Sequence, residues 1–189
     1  MLTPGEVRVL GLGNVLMGDD AFGPWVIEEL LASWQFPDGV RLLDVGTPGL
    51  DLTPYLADAD TVLLLDTVKA EAPAGTIRVY SREQLLSRPP EPRLSPHDPG
   101  VADALLALDC AGGAPRDVIL IGVVPGRVAK GIGLTPAVQE AVVRAASQVV
   151  ERLEGLGLAP HRQAPAWPAA PWWEGGRDPA APTRPPASA

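Results

Sequence analysis

Residues 61 to 68, TVLLLDTV, form a run that is apolar on both faces of an extended chain. Such a run reads as a central strand of a parallel sheet, covered by helices on both sides. Parallel neighbours need crossover connections, and helical patterns lie between the other short aliphatic runs. VRVLGLGN (7 to 14) reads as a strand entering a turn, and PWVIEELLASW (24 to 34) as a helix with Pro24 in its first turn. VRLLDVG (40 to 46) is a second strand, GLDLTPYLADA (49 to 59) a short Pro-interrupted helical segment, and AGTIRVYS (74 to 81) an edge or antiparallel strand. PGVADALLALDC (99 to 110) reads as a helix with Asp98 as its N-cap, and DVILIGVVP (117 to 125) as another buried strand. In the last element Thr135 caps, Pro136 begins, and Val138, Val142, Ala145, Val149 and Leu153 recur at helical spacing. The expected fold is α/β: a three-layer α/β/α sandwich around a twisted, mostly parallel open sheet.

The chain has 189 residues, 46% of them hydrophobic, enough for one core and short for two. That core is expected within residues 1–158. From residue 159 the sequence contains no Ile, Leu, Val or Met and is dense in Pro, Ala and Gly. Residues 159–189 therefore read as a disordered Pro/Ala-rich tail, with Trp167, Trp172 and Trp173 taken as compositional drift rather than a docking element. A formal net charge of -8 with no Lys/Arg run argues against nucleic acid or an anionic membrane as partner. The apolar runs fall well short of the ~20 residues of a membrane span, and MLTPGEVRVL lacks the features of a signal peptide. A soluble, cytoplasmic protein is expected. Cys110 is the sole cysteine, so no internal disulfide forms; it is expected to be a small core residue on a helix.

In open α/β sheets, ligands bind in the crevice beyond the carboxyl ends of the strands. Three strands end at or run into carboxylates there: the first into Asp19 and Asp20, the second at Asp44, the third at Asp66. Asp66 interrupts a run of Leu, where an ionised carboxylate is costly unless paired, hydrogen-bonded or bound to metal. His97 immediately precedes the expected helix N-cap, where the helix dipole disfavours imidazolium and leaves a lone pair for a metal. Asp20, Asp66 and His97 could supply two oxygens and a nitrogen to a divalent transition metal. The competing reading is a dinucleotide site of an oxidoreductase, with GLG at 11 to 13 and Asp44 as the ribose-binding acid. Against it, Leu16 stands where a third glycine belongs, and the charges of MGDD would repel pyrophosphate.

The blocks GLGNVLMGDDAFGP, LLDVGTPGLDL, LLLDTV, LSPHDPGVADAL and LIGVVPGRVAKGIGLTPAV resemble, in order and spacing, the maturation endopeptidases of nickel-iron hydrogenases, over about residues 7 to 156. The resemblance implies a three-layer α/β fold and removal of a C-terminal extension from the hydrogenase large-subunit precursor once the nickel-iron centre is inserted. It implies Asp20, Asp66 and His97 as metal ligands, the three residues the strand-end argument selects. The metal is then expected to be the nickel of the partner precursor, read as a signal of complete assembly, with no organic cofactor and a monomeric protein. Ala21 stands where many members have Gly, and the tail lies outside the resemblance. Either the metal activates water, or it positions the precursor while a carboxylate such as Asp44 or Asp20 acts as general base. A metal-checking chaperone that binds the same precursor without cutting it is the non-enzymatic alternative.

Overall fold

The structure, a computed structural model, describes residues 5–48, 52–87, 98–163, 171 and 173, with 98 and 99 described through their backbone alone. Five strands form the main sheet: β1 (Val7–Leu12), β3 (Val40–Gly46), β4 (Thr61–Thr67), β5 (Ile77–Ser81) and β6 (Asp117–Val123), in the order β3-β1-β4-β6-β5. The first four are parallel and β5 pairs antiparallel with β6 at the edge. All seven residues of β4 are buried, as its two-faced apolar pattern requires.

Alternation along the strands sorts the core into two layers. Val7 and Val9 of β1, Leu63 and Leu65 of β4, and Ile121 and Val123 of β6 pack with α1 (Phe22–Ser33) and α5 (Pro136–Gly155). Leu10, Leu12, Val62, Leu64, Val118 and Leu120 face the other way, toward α2 (Thr53–Leu56), α3 (Arg82–Leu86) and α4 (Asp98–Ala111). On that second face Arg8 donates to the carbonyls of Tyr55 and Ala57, at 3.0 and 2.9 Å, and ties α2 to the sheet. The result is the expected three-layer sandwich. In α5 the five residues picked out by their spacing are all buried. With each buried Val or Leu contributing about 1.5–3 kcal/mol, this seam anchors the first layer.

Four details differ from expectation. Cys110 is exposed, because Val101, Ala104, Leu105 and Leu108 set the buried face of α4 and residue 110 falls on the other side. Thr135 occupies the N-cap position of α5 but makes no cap hydrogen bond there. The short helix α3 went unread, although Ser81 and Gln84 form a reciprocal capping box that signals it. Finally, β7 (His161–Arg162) pairs antiparallel with β2 (Trp34–Gln35), just past the end of α1. The described part of the segment beyond residue 158 therefore returns to the folded body. Trp167 and Trp172 lie outside the described residues.

Candidate functional site

Strands β1 and β4 are neighbours, yet the chain leaves β1 toward the layer of α1 and leaves β4 toward the layer of α3 and α4. That divergence opens a crevice at their carboxyl ends, the place where α/β sheets bind ligands.

Glycines let the chain reach it. Gly13 turns off β1 at φ +134°, and a Cβ there would lie 1.8 Å from the carbonyl oxygen of Asp20. A Cβ on Gly23 would lie 2.3 Å from the carbonyl oxygen of Leu12 and 2.4 Å from that of Leu65, so the first turn of α1 rests on the backbone ends of both strands. A 3-10 turn, Asp19–Ala21, leads into that helix and carries both acids at its start, where the partial positive charge of the helix end favours them.

Asp20 is 5% exposed. Its Oδ2 accepts the Asn14 N–H at 2.9 Å and its Oδ1 the Thr67 hydroxyl at 3.4 Å. Asp66 is fully buried, and its Oδ1 accepts the Thr67 N–H at 2.7 Å. Strand alternation turns Asp66 toward the layer of α4 and Thr67 toward that of α1. Thr67 thus joins the two acids across the strand end, its amide serving one and its hydroxyl the other. Each oxygen of an ionised carboxylate has about two acceptor sites, so one hydrogen bond per oxygen aims Asp20 without saturating it for a cation.

Asp44 is exposed, on edge strand β3 opposite Gly11, and its Oδ1 accepts the Gly46 N–H at 3.1 Å. Strand β1 lies between β3 and β4, so the backbones carrying Asp44 and Asp66 stand about 9.5 Å apart across the sheet. The geometry thus links Asp20 and Asp66 through Thr67 and places Asp44 on the strand beyond β1. His97 lies outside the described residues. The helix that follows it begins at Asp98. Gly113, just past the end of α4, accepts the Asp58 N–H beside the start of β4. With 14 residues, α4 is about 21 Å long, close to the length of β4, so its amino end lies on the crevice side. Among the described residues no group of three or more His, Cys, Asp or Glu is placed to hold a metal; the set seen is the Asp20 and Asp66 pair.

Two contributors went unread in the sequence. Thr67 lies next to Asp66, but nothing local announces that its hydroxyl meets Asp20. Asp19, fully buried, was passed over for its neighbour. Its Oδ2 accepts from the Gly126 and Arg127 amides and the Thr135 hydroxyl at 2.7, 2.8 and 2.9 Å, and its Oδ1 from the Thr135 amide at 2.6 Å. Asp19 is therefore a clamp that fixes the loop after β6 and the start of α5 to the turn carrying Asp20. Its carboxylate draws the Thr135 hydroxyl away from the helix it would otherwise cap. Beside Asp66 and Thr67, Val68, Lys69, Ala70 and Glu71 face Val124 and Pro125 across a cleft of about 340 Å³. Cys110, near the carboxyl end of α4, belongs to the opposite end of the sheet and takes no part.

A site of paired carboxylates beside a mostly apolar cleft suits a divalent ion and an extended chain better than a dinucleotide. Comparison with known proteins identifies the family of the chain. The profile of a family described as hydrogenase maturation protease matches residues 24–152. The hydrogenase 2 maturation protease of Escherichia coli (strain K12) is 36% identical over 155 residues, which cover 81% of this chain and 93% of the relative. Among solved structures, the hydrogenase maturating endopeptidase HybD from E. coli superimposes with a TM-score of 0.77 at 32% identity, covering 84% of this chain and 98% of that one. The NiFe hydrogenase maturation protease HybD from Thermococcus kodakarensis superimposes with a TM-score of 0.63 at 25% identity, covering 78% and 98%.

Proposed function

The chain belongs to the hydrogenase maturation protease family and is a protease; from that premise we propose that it removes the C-terminal extension of a nickel-iron hydrogenase large-subunit precursor once nickel has been inserted. The observation that carries the nickel reading is the linkage of Asp20 and Asp66 through Thr67 at the crevice between β1 and β4.

In this reading the nickel arrives with the precursor and is part of the substrate. Carboxylate oxygens from Asp20 and Asp66, with the imidazole of His97, form a donor set of intermediate hardness that suits a first-row divalent ion. The chain's own contribution is aim. Asn14 and Thr67 fix the Asp20 carboxylate, and the Thr67 amide fixes that of Asp66, before any ion arrives. Peptide hydrolysis also needs a base for the attacking water and a proton for the leaving amine. A carboxylate such as Asp20, or Asp44 at the neighbouring strand end, takes a proton from the attacking water and returns it to the leaving amine, while the cleft lined by Val68, Val124 and Pro125 receives the extended chain. The protein works as a cytoplasmic monomer without an organic cofactor of its own. Among the described residues no helix is long and apolar enough to cross a membrane.

The test is the intact mass of the precursor after incubation, with nickel inserted and with nickel absent. Shortening of the nickel-loaded form alone is expected. Equal shortening of both forms would remove nickel from the reading, and complex formation without shortening would leave a chaperone. Asp66→Asn and His97→Ala are expected to abolish shortening. Because it removes a fully buried charge, Asp66→Asn should also leave the thermal midpoint unchanged or raised.

A further inference from the structure

The blocks NVLMG (14 to 18) and GRVAKGIG (126 to 133) contain no acidic residue. The fold brings them together as a pair. Gly18 N–H donates to the Gly131 carbonyl at 2.8 Å, Gly131 N–H to that of Leu16 at 2.9 Å, and Asp19 N–H to that of Arg127 at 3.0 Å. Bridges pair Met17 with Gly131 and Gly18 with Val128, and the four hydrogen bonds to the Asp19 carboxylate clamp the base of the second loop.

This framework holds apolar side chains in water. Leu16, Val128 and Ile132 are 55%, 46% and 55% exposed. They sit on adjoining backbone, so the exposure is one patch rather than scattered surface, and a patch of that kind beside a cleft marks an interaction site. Arg127 and Lys130, both exposed, flank it in a chain whose net charge is -8. Asp20 follows Asp19 directly, so the patch borders the crevice.

From this juxtaposition, and resting on the protease reading above, we infer that the paired loops are the surface on which the precursor docks. A precursor segment covers Leu16, Val128 and Ile132 with apolar side chains and meets Arg127 and Lys130 with carboxylates. The hydrogen-bonded framework fixes the loops in advance, so little ordering entropy is lost on binding. Position next to Asp20 makes docking and presentation of the nickel a single event.

The test uses the full chain in three forms: wild type, Val128→Ser with Ile132→Ser, and Arg127→Glu with Lys130→Glu. These side chains are exposed, so both variants should keep the wild-type thermal midpoint. The dissociation constant for the nickel-loaded precursor is measured by sedimentation, and KM and kcat by the rate of shortening. Each variant is expected to weaken binding and raise KM by about tenfold with kcat within about twofold, and the charge variant to flatten the salt dependence. Unchanged binding and KM in both variants, with the wild type cleaving, would overturn docking here and leave the protease reading intact. A wild type that binds but never cleaves, with binding weakened in the variants, would sink the protease reading and keep the docking surface. A wild-type dimer that the Ser variant converts to monomer, with precursor binding unchanged, would assign the patch to a second copy and overturn the inference.

Discussion

Asp19 and Asp20 are neighbours with opposite duties. Asp20 carries one hydrogen bond per oxygen at the crevice, whereas Asp19 accepts four and faces only donors. Asp19→Asn would turn an amide donor toward donors that have no other partner among the described residues. It is expected to lower unfolding stability by about 2–4 kcal/mol in urea titration, because buried polar groups left unmatched keep their desolvation cost. Asp20→Asn is expected to change stability by less than about 1 kcal/mol and to abolish shortening of the precursor. If Asp20→Asn destabilised as much as Asp19→Asn, the division of labour would be wrong. The pair also marks the limit of what a sequence reveals at this scale. Asp20 and Asp66 are legible because strand ends and a charge inside an apolar run are local patterns. Asp19 and Thr67 are not, since the groups they serve lie 47 to 116 residues away.

Among the elements, α1 is the one whose placement decides the site. Its first turn touches the carbonyl oxygens of Leu12 and Leu65 with nothing between but the Gly23 hydrogens. Gly23→Ala must push the helix off β1 and β4. A loss of at least about 2 kcal/mol is expected by urea titration, with processing lost as Asp20 moves relative to Thr67. An active Gly23→Ala of wild-type stability would show that the helix can shift without consequence. At the far end of β1, Glu6 pairs with Arg8 and Arg41. The Arg8 hydrogen bond holds its carboxyl below the ordinary value, with charge attraction from Arg8 and Arg41 adding to it and desolvation opposing. A lowered folded pKa stabilises the protein above the unfolded value of 4.5, and that contribution disappears as pH falls through the folded value. Glu6→Gln should therefore cost up to about 1 kcal/mol at pH 7 and progressively less as the pH is lowered, compared in urea at neutral and acid pH. Strands β1, β4 and β6 and helices α1 and α5 were legible because period and burial agree. The two-residue pairing of β2 with β7 was not, because two residues carry no period and their partners are 126 residues apart or more.

At the scale of the whole molecule, the chain closes on itself. Composition pointed to a dispensable segment after residue 158, since nothing in it can build a core, yet its described residues return to α1. Gln163 donates from Nε2 to the carbonyls of Leu31 and Trp34 at 3.1 and 2.9 Å, and from its amide to that of Ser33 at 3.0 Å. These bonds satisfy carbonyls at the end of α1 that no further helical turn would reach. Arg162 lies 5.8 Å from the ring centre of Trp34, and Trp173 meets Trp25 edge to face with centroids 5.4 Å apart. Composition cannot anticipate such contacts, because they need only a few polar and aromatic groups at the right places rather than an apolar face. Truncation after Pro160 removes all of them. Taking about 1 kcal/mol for each hydrogen bond and for the aromatic pair, less the entropy of ordering the segment, it should cost roughly 2–4 kcal/mol in urea. Processing at a temperature where the shortened protein remains folded should survive, because none of these contacts touches Asp20, Thr67 or Asp66. A truncated protein as stable as the full chain would mean the contacts merely offset their ordering entropy. A folded truncated protein that no longer shortens the precursor would give the segment a role in recognition, with Trp173 against Trp25, in the first turn of α1, the place to look for it.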